Sequence, residues 1–149
     1  MNRPLRIIRE LIFLTFSMLI GIGSFGQQVR PDPWNASQLM DPGALAMLMK
    51  AKGSLPLVLD VGPAGQILHA RQMGPAHEAA GMARLGKTLA KVPRDKEIVV
   101  YCGCCPFNKC PNIRPAFLLL QHLGFTRIFV LDLSHNLKAD WIDKGYPLQ

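Results

Sequence analysis

Three short apolar runs, Leu55–Val61 (LPLVLDV), Glu97–Tyr101 (EIVVY) and Arg127–Leu131 (RIFVL), set the strongest limit on how this chain folds. Each is too uniformly apolar for a strand with one wet face, where apolar and polar residues alternate. Segments with helical spacing lie between them. Asp41-Pro42 is a cap followed by a proline at a first helical position; Leu45, Leu48 and Met49 continue the pattern, and Gly53 stops it. Met82, Leu85 and Leu89 mark a second helix over 78–92, closed by Pro93. Pro111 opens a third, which runs through Leu123 and ends at Gly124. Residues 62–75 read as loop, and 136–144 as a last short helix. Buried strands alternating with helices predict an α/β domain with a central parallel sheet flanked by helices on both faces.

The amino end reads differently. Arg3, Arg6 and Arg9 precede the apolar run Leu11–Ile22, and Ser24 and Gly26 are the small residues a signal peptidase requires. The run falls short of the roughly 20 residues that span a bilayer, with an uncleaved anchor as the alternative. Residues 1–26 are therefore expected to be a signal peptide, 27–36 a flexible lead-in with Pro31 and Pro33, and 37–149 the single domain. That domain is expected to be exported, periplasmic or otherwise extracytoplasmic, and to touch membrane only through the amino-terminal segment. Disulfides persist in such compartments. The 17 Lys and Arg against 10 Asp and Glu give a net charge of +7, which favours anionic ligands. They are scattered, with no stripe and no interleaved aromatics, which argues against nucleic acid. No exposed apolar stripe stands out, and a monomer is expected. Met40, Met47 and Met49 read as core filling.

All four cysteines, Cys102, Cys104, Cys105 and Cys110, fall within nine residues, between the end of the second apolar run and the third helix. The carboxyl ends of parallel strands are where open α/β sheets bind ligands. A helix amino terminus adds unpaired N–H groups and the positive end of its dipole. A cysteine placed there has its thiolate stabilised, and thiolate is the nucleophile. Cys102 is therefore the candidate reactive centre, with Lys109 and Arg114 adding positive charge nearby.

The carboxyl half also resembles a rhodanese-like (sulfurtransferase) domain. Val99-Val100-Tyr101-Cys102 matches the family's buried strand ending in Tyr-Cys, ahead of a loop and a helix. Leu123-Gly124-Phe125, the strand at 128–131, Trp141 and Gly145-Tyr146-Pro147 follow in the family's order, and Asp60-Val61 matches its upstream Asp-Val. Gly65-Gln66-Ile67-Leu68-His69-Ala70 is a weaker echo of a further motif. The likeness spans roughly Ser37 to Leu148. Tyr101 to Pro115 (YCGCCPFNKCPNIRP) is similar to an exported, multi-cysteine subgroup. The loop is longer than usual, Gly62 replaces the Arg after Asp-Val, and Ser134-His135-Asn136 replaces a Gly-Gly. The resemblance implies persulfide chemistry with no cofactor. Cys102 would take a sulfur atom from a small sulfur-containing anion or thiol. The loop of Gly103, Cys104, Cys105, Phe107, Asn108, Lys109 and Cys110, together with Arg114, would hold the anion, with Asp60 and His135 in support.

Other roles for the cysteines stay open. Cys104, Cys105 and Cys110 are each a candidate resolving thiol, and a Cys105–Cys110 or Cys104–Cys110 disulfide is a third arrangement. All four could instead bind Zn²⁺ or Cu⁺ in a non-catalytic metal-binding or redox-sensing module. Their spacing differs from the two separated C-x-x-C pairs of a structural zinc site. Trp141 reads as core, and His69, His77 and His122 as ordinary residues outside any cluster.

Overall fold

The computed structural model describes residues 31–149 apart from Lys52 and Ala64. Residues 1–26, expected to be a signal peptide, and residues 27–30 of the expected lead-in lie outside the described residues. Five parallel strands form one sheet in the order β1-β5-β4-β2-β3. They are β1 (Leu39–Met40), β2 (Leu57–Asp60), β3 (Arg71–Gln72), β4 (Ile98–Tyr101) and β5 (Ile128–Leu131). Three helices connect them: α1 (Pro42–Lys50), α2 (Ala79–Leu89) and α3 (Ile113–His122). The coarse expectation of an α/β domain with a parallel sheet holds. The edge strands β1 and β3 have two residues each and were not expected. The last helix is only a π-type turn, Lys138–Ile142.

Side chains alternate across the sheet and build one core on each face. Leu59, Val100 and Val130 face α2 and α3 through Leu85, Leu89, Phe117 and Leu120. Val58, Val99 and Leu131 face α1 and the π-type turn through Leu45, Ala46 and Trp141. Strands buried on both sides carry no polar face, which is why the three runs read as continuously apolar.

Local chemistry fixes the helix ends. The Asp41 carboxylate accepts the Ala44 N–H at 2.8 Å, capping α1. Asn112 precedes α3, so the helix starts two residues later than Pro111 suggested, and Pro115 falls in its first turn, where a missing N–H costs nothing. At its other end the Phe125 N–H reaches Leu120 and the Gly124 N–H reaches Gln121. That closure needs the left-handed φ of +81° that Gly124 supplies.

Two expectations change. Trp34, in the segment read as a flexible lead-in, is buried against Phe117, with ring centroids 5.5 Å apart. The preceding Pro31 carbonyl and Asp32 carboxylate are held by Arg114 at 2.8 and 2.6 Å. Met47, read as core, is exposed because it sits on the outer side of α1. Trp141 is fully buried as expected, and its Nε1–H donates to the Pro147 carbonyl at 3.0 Å. No helix among the described residues is long and apolar enough to cross a membrane.

Candidate active site

Because every strand runs the same way, Asp60, Tyr101 and Leu131 end β2, β4 and β5 at one edge of the sheet. The chain winds from β2 to β3 in one direction and from β4 to β5 in the other. The reversal lies between β2 and β4, where such sheets form their ligand crevice. Cys102 is the first residue beyond β4 at that point. A separate cavity of about 300 Å³, lined by Pro56, Asp95, Glu97 and Arg127 among others, lies at the amino ends of the same strands. No cysteine lines it.

Cys102 is fully buried, and three kinds of donor converge on its sulfur. The Cys110 S–H, the Cys104 backbone N–H and the Asn112 side-chain amide outweigh the cost of burial and hold its pKa down to about 5. Asn112 Nδ2 lies 3.4 Å from Cys102 Sγ. Cys110 is the proton-bearing partner: donating to Cys102 and burial both push its own pKa up. Burial and its two neighbouring thiols raise Cys104 to about 12. The site thus concentrates one negative charge on Cys102, the arrangement a nucleophilic thiolate requires.

Asn112 is itself positioned. Its Oδ1 accepts the His77 backbone N–H at 3.1 Å and lies 2.7 Å from His77 Nδ1, which turns the amide nitrogen toward Cys102. Sequence reasoning missed both residues. His77 is 35 positions from Asn112, with no local pattern to connect them. The only signal was a polar residue at the start of α3, which reads equally as a cap.

Asp60 sits beside the thiolate. Its Oδ1 accepts the Gly62 N–H at 2.9 Å, whereas Oδ2 is buried with no hydrogen-bond partner among the described residues. Burial, with a contribution from the Cys102 charge, raises its pKa to about 6 against the pull of the Gly62 amide. The buried Tyr101 hydroxyl likewise has no partner among the described residues. Both residues line a cavity of about 40 Å³ with Gly65, Ala70, Gln72 and Gln149. Gly62 fits between the two acidic groups because it has no side chain: a Cβ there would stand 2.8 Å from Cys102 Sγ and 3.3 Å from Asp60 Oδ1.

The remaining expected residues spread out. Cys104 is exposed, and its Sγ lies 3.3 Å from both Cys102 Sγ and Cys105 Sγ. All four cysteines are free thiols, so neither expected disulfide is formed. Cys110 turns its sulfur inward, within 4.8 Å of those of both Cys102 and Cys104. Among the loop amides expected to face an anion, those of Phe107, Lys109 and Cys110 donate instead to the carbonyls of Leu133, Pro106 and Phe107. The Phe107 ring packs on Trp34, with centroids 6.2 Å apart. Asn108 and Lys109 are exposed on the outer turn of the loop. Arg114 reaches Asp32 and lies over the Trp34 ring at 5.8 Å. His135 is exposed and is held by Asp140, its Nδ1 3.0 Å from Oδ1. Its segment meets the cysteine loop through the backbone, where the Leu137 N–H donates to the Gly103 carbonyl at 3.0 Å.

Compared with known proteins, the chain matches no family model and no curated protein.

Proposed function

We propose that this is an exported rhodanese-like sulfurtransferase or persulfide carrier, with Cys102 as the sulfur-accepting nucleophile. One observation carries the reading: a thiolate at the winding reversal of a parallel sheet, held by Cys110, the Cys104 amide and Asn112. The order of motifs from Asp60-Val61 to Gly145-Tyr146-Pro147 supports the rhodanese-like assignment. Action outside the cytoplasm rests on the signal-like composition of residues 1–26.

With thiosulfate as donor, the Cys102 thiolate attacks the outer, sulfane sulfur. A new S–S bond forms to Cys102, the bond to the sulfonate sulfur breaks, and sulfite leaves with the electron pair. The persulfide keeps one negative charge on its outer sulfur, about 2 Å beyond the Sγ that the Asn112 amide and the Cys104 N–H contact. A thiol or cyanide acceptor then attacks the outer sulfur and returns Cys102 to thiolate. Lys109, exposed at the loop's outer turn, offers positive charge to the approaching anion. Cys102 lies beneath the surface and Cys104 above it, so the donor reaches the nucleophile as the Gly103–Cys105 turn yields.

The test is the intact mass of the reduced, metal-free protein before and after thiosulfate. A gain of one sulfur atom, mapped to the peptide containing Cys102, removed by cyanide and absent in Cys102→Ser, is expected. No gain, or a gain that persists in Cys102→Ser, overturns the reading.

A further inference from the structure

Three of the four thiols form a cluster that a relay of sulfur atoms does not require. The Sγ atoms of Cys102, Cys104 and Cys110 all lie within 4.8 Å of one another, and the Cys102–Cys104 pair is at 3.3 Å. Three sulfurs bound to one ion in a plane, with metal–sulfur bonds of about 2.3 Å, stand about 4 Å apart. The Cys102–Cys104 pair has to open by about 0.7 Å and no pair exceeds 4.8 Å, so side-chain adjustments of under about an ångström form the triangle. No His, Asp or Glu among the described residues joins this group as a fourth donor. His135 is held by Asp140 and His77 by Asn112.

We propose that Cys102, Cys104 and Cys110 form a three-coordinate site for Cu⁺. An all-sulfur donor set selects soft ions and excludes Mg²⁺ and Ca²⁺, which take oxygen ligands. Zn²⁺ in structural sites takes four ligands, and only three thiols converge here. Cys105 touches Cys104 at 3.3 Å but stands outside the triangle, so the fourth cysteine is not a ligand. Three thiolates around a monovalent ion leave a net negative charge. The backbone amides of Asn112 and Ile113 at the start of α3 face Cys110, and the Asn112 side chain and Cys104 amide face Cys102. Cys104 is the solvent-facing corner through which an ion enters, and Cys102 and Cys110 form the buried floor. Binding is not a redox step: Cu⁺ takes the place of the remaining thiol protons, which pass to solvent. The site shares Cys102 with the sulfur-transfer reading without depending on it, and a bound ion blocks sulfur acceptance.

The experiment is an anaerobic titration of the reduced protein with Cu⁺ held by a chromogenic chelator, in the presence of equimolar Zn²⁺. One Cu⁺ per chain should be withdrawn from the chelator. Cys102→Ser, Cys104→Ser and Cys110→Ser should each weaken binding by more than about a hundredfold, beyond what changes outside the ligand shell cost. Cys105→Ser removes a contact of Cys104 but no ligand, and should cost about tenfold, well short of the ligand variants. X-ray absorption of the copper-loaded parent should show three sulfurs and no lighter neighbour, a readout that needs no variant to fold. Failure to compete with the chelator, a preference for Zn²⁺, a two-sulfur shell or an equal loss in Cys105→Ser each overturns the site. Thiosulfate loading of the metal-free protein separates the two ideas. Sulfur uptake without copper binding removes only the copper site, and copper binding without sulfur uptake removes only the transferase.

Discussion

Asn112 reaches back across the cysteine loop to Cys102, ten residues earlier, and places its amide nitrogen 3.4 Å from the sulfur. Strand end and helix start are thereby joined at the reactive atom. Removing that donor strips a hydrogen bond from a charged sulfur, worth about 1.5–3 kcal/mol, or about one to two pKa units. In metal-free Asn112→Ala, the thiolate's ultraviolet absorbance should therefore titrate above the parent midpoint near pH 5. Subtracting the Cys102→Ser titration isolates the group. An unmoved midpoint means that Asn112 does not hold the thiolate.

His77→Ala tests the next residue out. The backbone N–H of residue 77 still anchors Asn112, so only the ring contact at 2.7 Å is lost. Sulfur loading should slow about three- to tenfold, the worth of one hydrogen bond, and less than in Asn112→Ala. The melting temperature should barely change, because the His77 side chain is half exposed.

Asp60 links the site to stability. Its pKa is raised from 3.8 to about 6, so the native state binds its proton more tightly than the unfolded chain does. The sign follows from that difference: below pH 3.8 both states are protonated, and between 3.8 and about 6 rising pH destabilises the fold. Above pH 6 the full penalty remains, on the order of 3 kcal/mol. Asp60→Asn keeps an acceptor for the Gly62 amide and removes the charge. Urea unfolding at pH 4 and pH 7 should show the variant gaining stability over the parent at the higher pH, and a constant difference would refute the burial account.

Gly62→Ala places a methyl group 2.8 Å from Cys102 Sγ, closer than packing allows. Either the sulfur or the β2 end must move. Stability should fall by about 1–3 kcal/mol, the usual cost of overpacking, and sulfur loading should fall with it. Gly86→Ala, whose added methyl group meets no atom within 4 Å, is the control and should fold and react as the parent does.

The sheet was legible because Leu57–Asp60, Ile98–Tyr101 and Ile128–Leu131 are covered on both faces and so carry no polar residue until their ends. The edge strands were not, since two residues such as Leu39–Met40 show no periodicity. Trp34 escaped because its neighbours Pro31 and Pro33 read as loop, and its partners Phe107 and Phe117 are distant in sequence. At the site, the cysteines announced themselves by clustering. The Asn112–His77 support and the gathering of Cys102, Cys104 and Cys110 into a cluster that leaves Cys105 out depend on tertiary placement, which local spacing does not encode.

Cys102 follows directly on the middle strand of the five, the last part of such a sheet to open. Frayed sheet ends therefore leave its sulfur covered, and only a yielding of the Gly103–Cys105 turn or global unfolding uncovers it, while Cys104 meets solvent in the native state. The two thiols form a built-in pair of clocks for a labelling reagent. Cys104 keeps the time of surface encounter, and the portion of Cys102 labelling that accelerates with denaturant keeps the time of global unfolding.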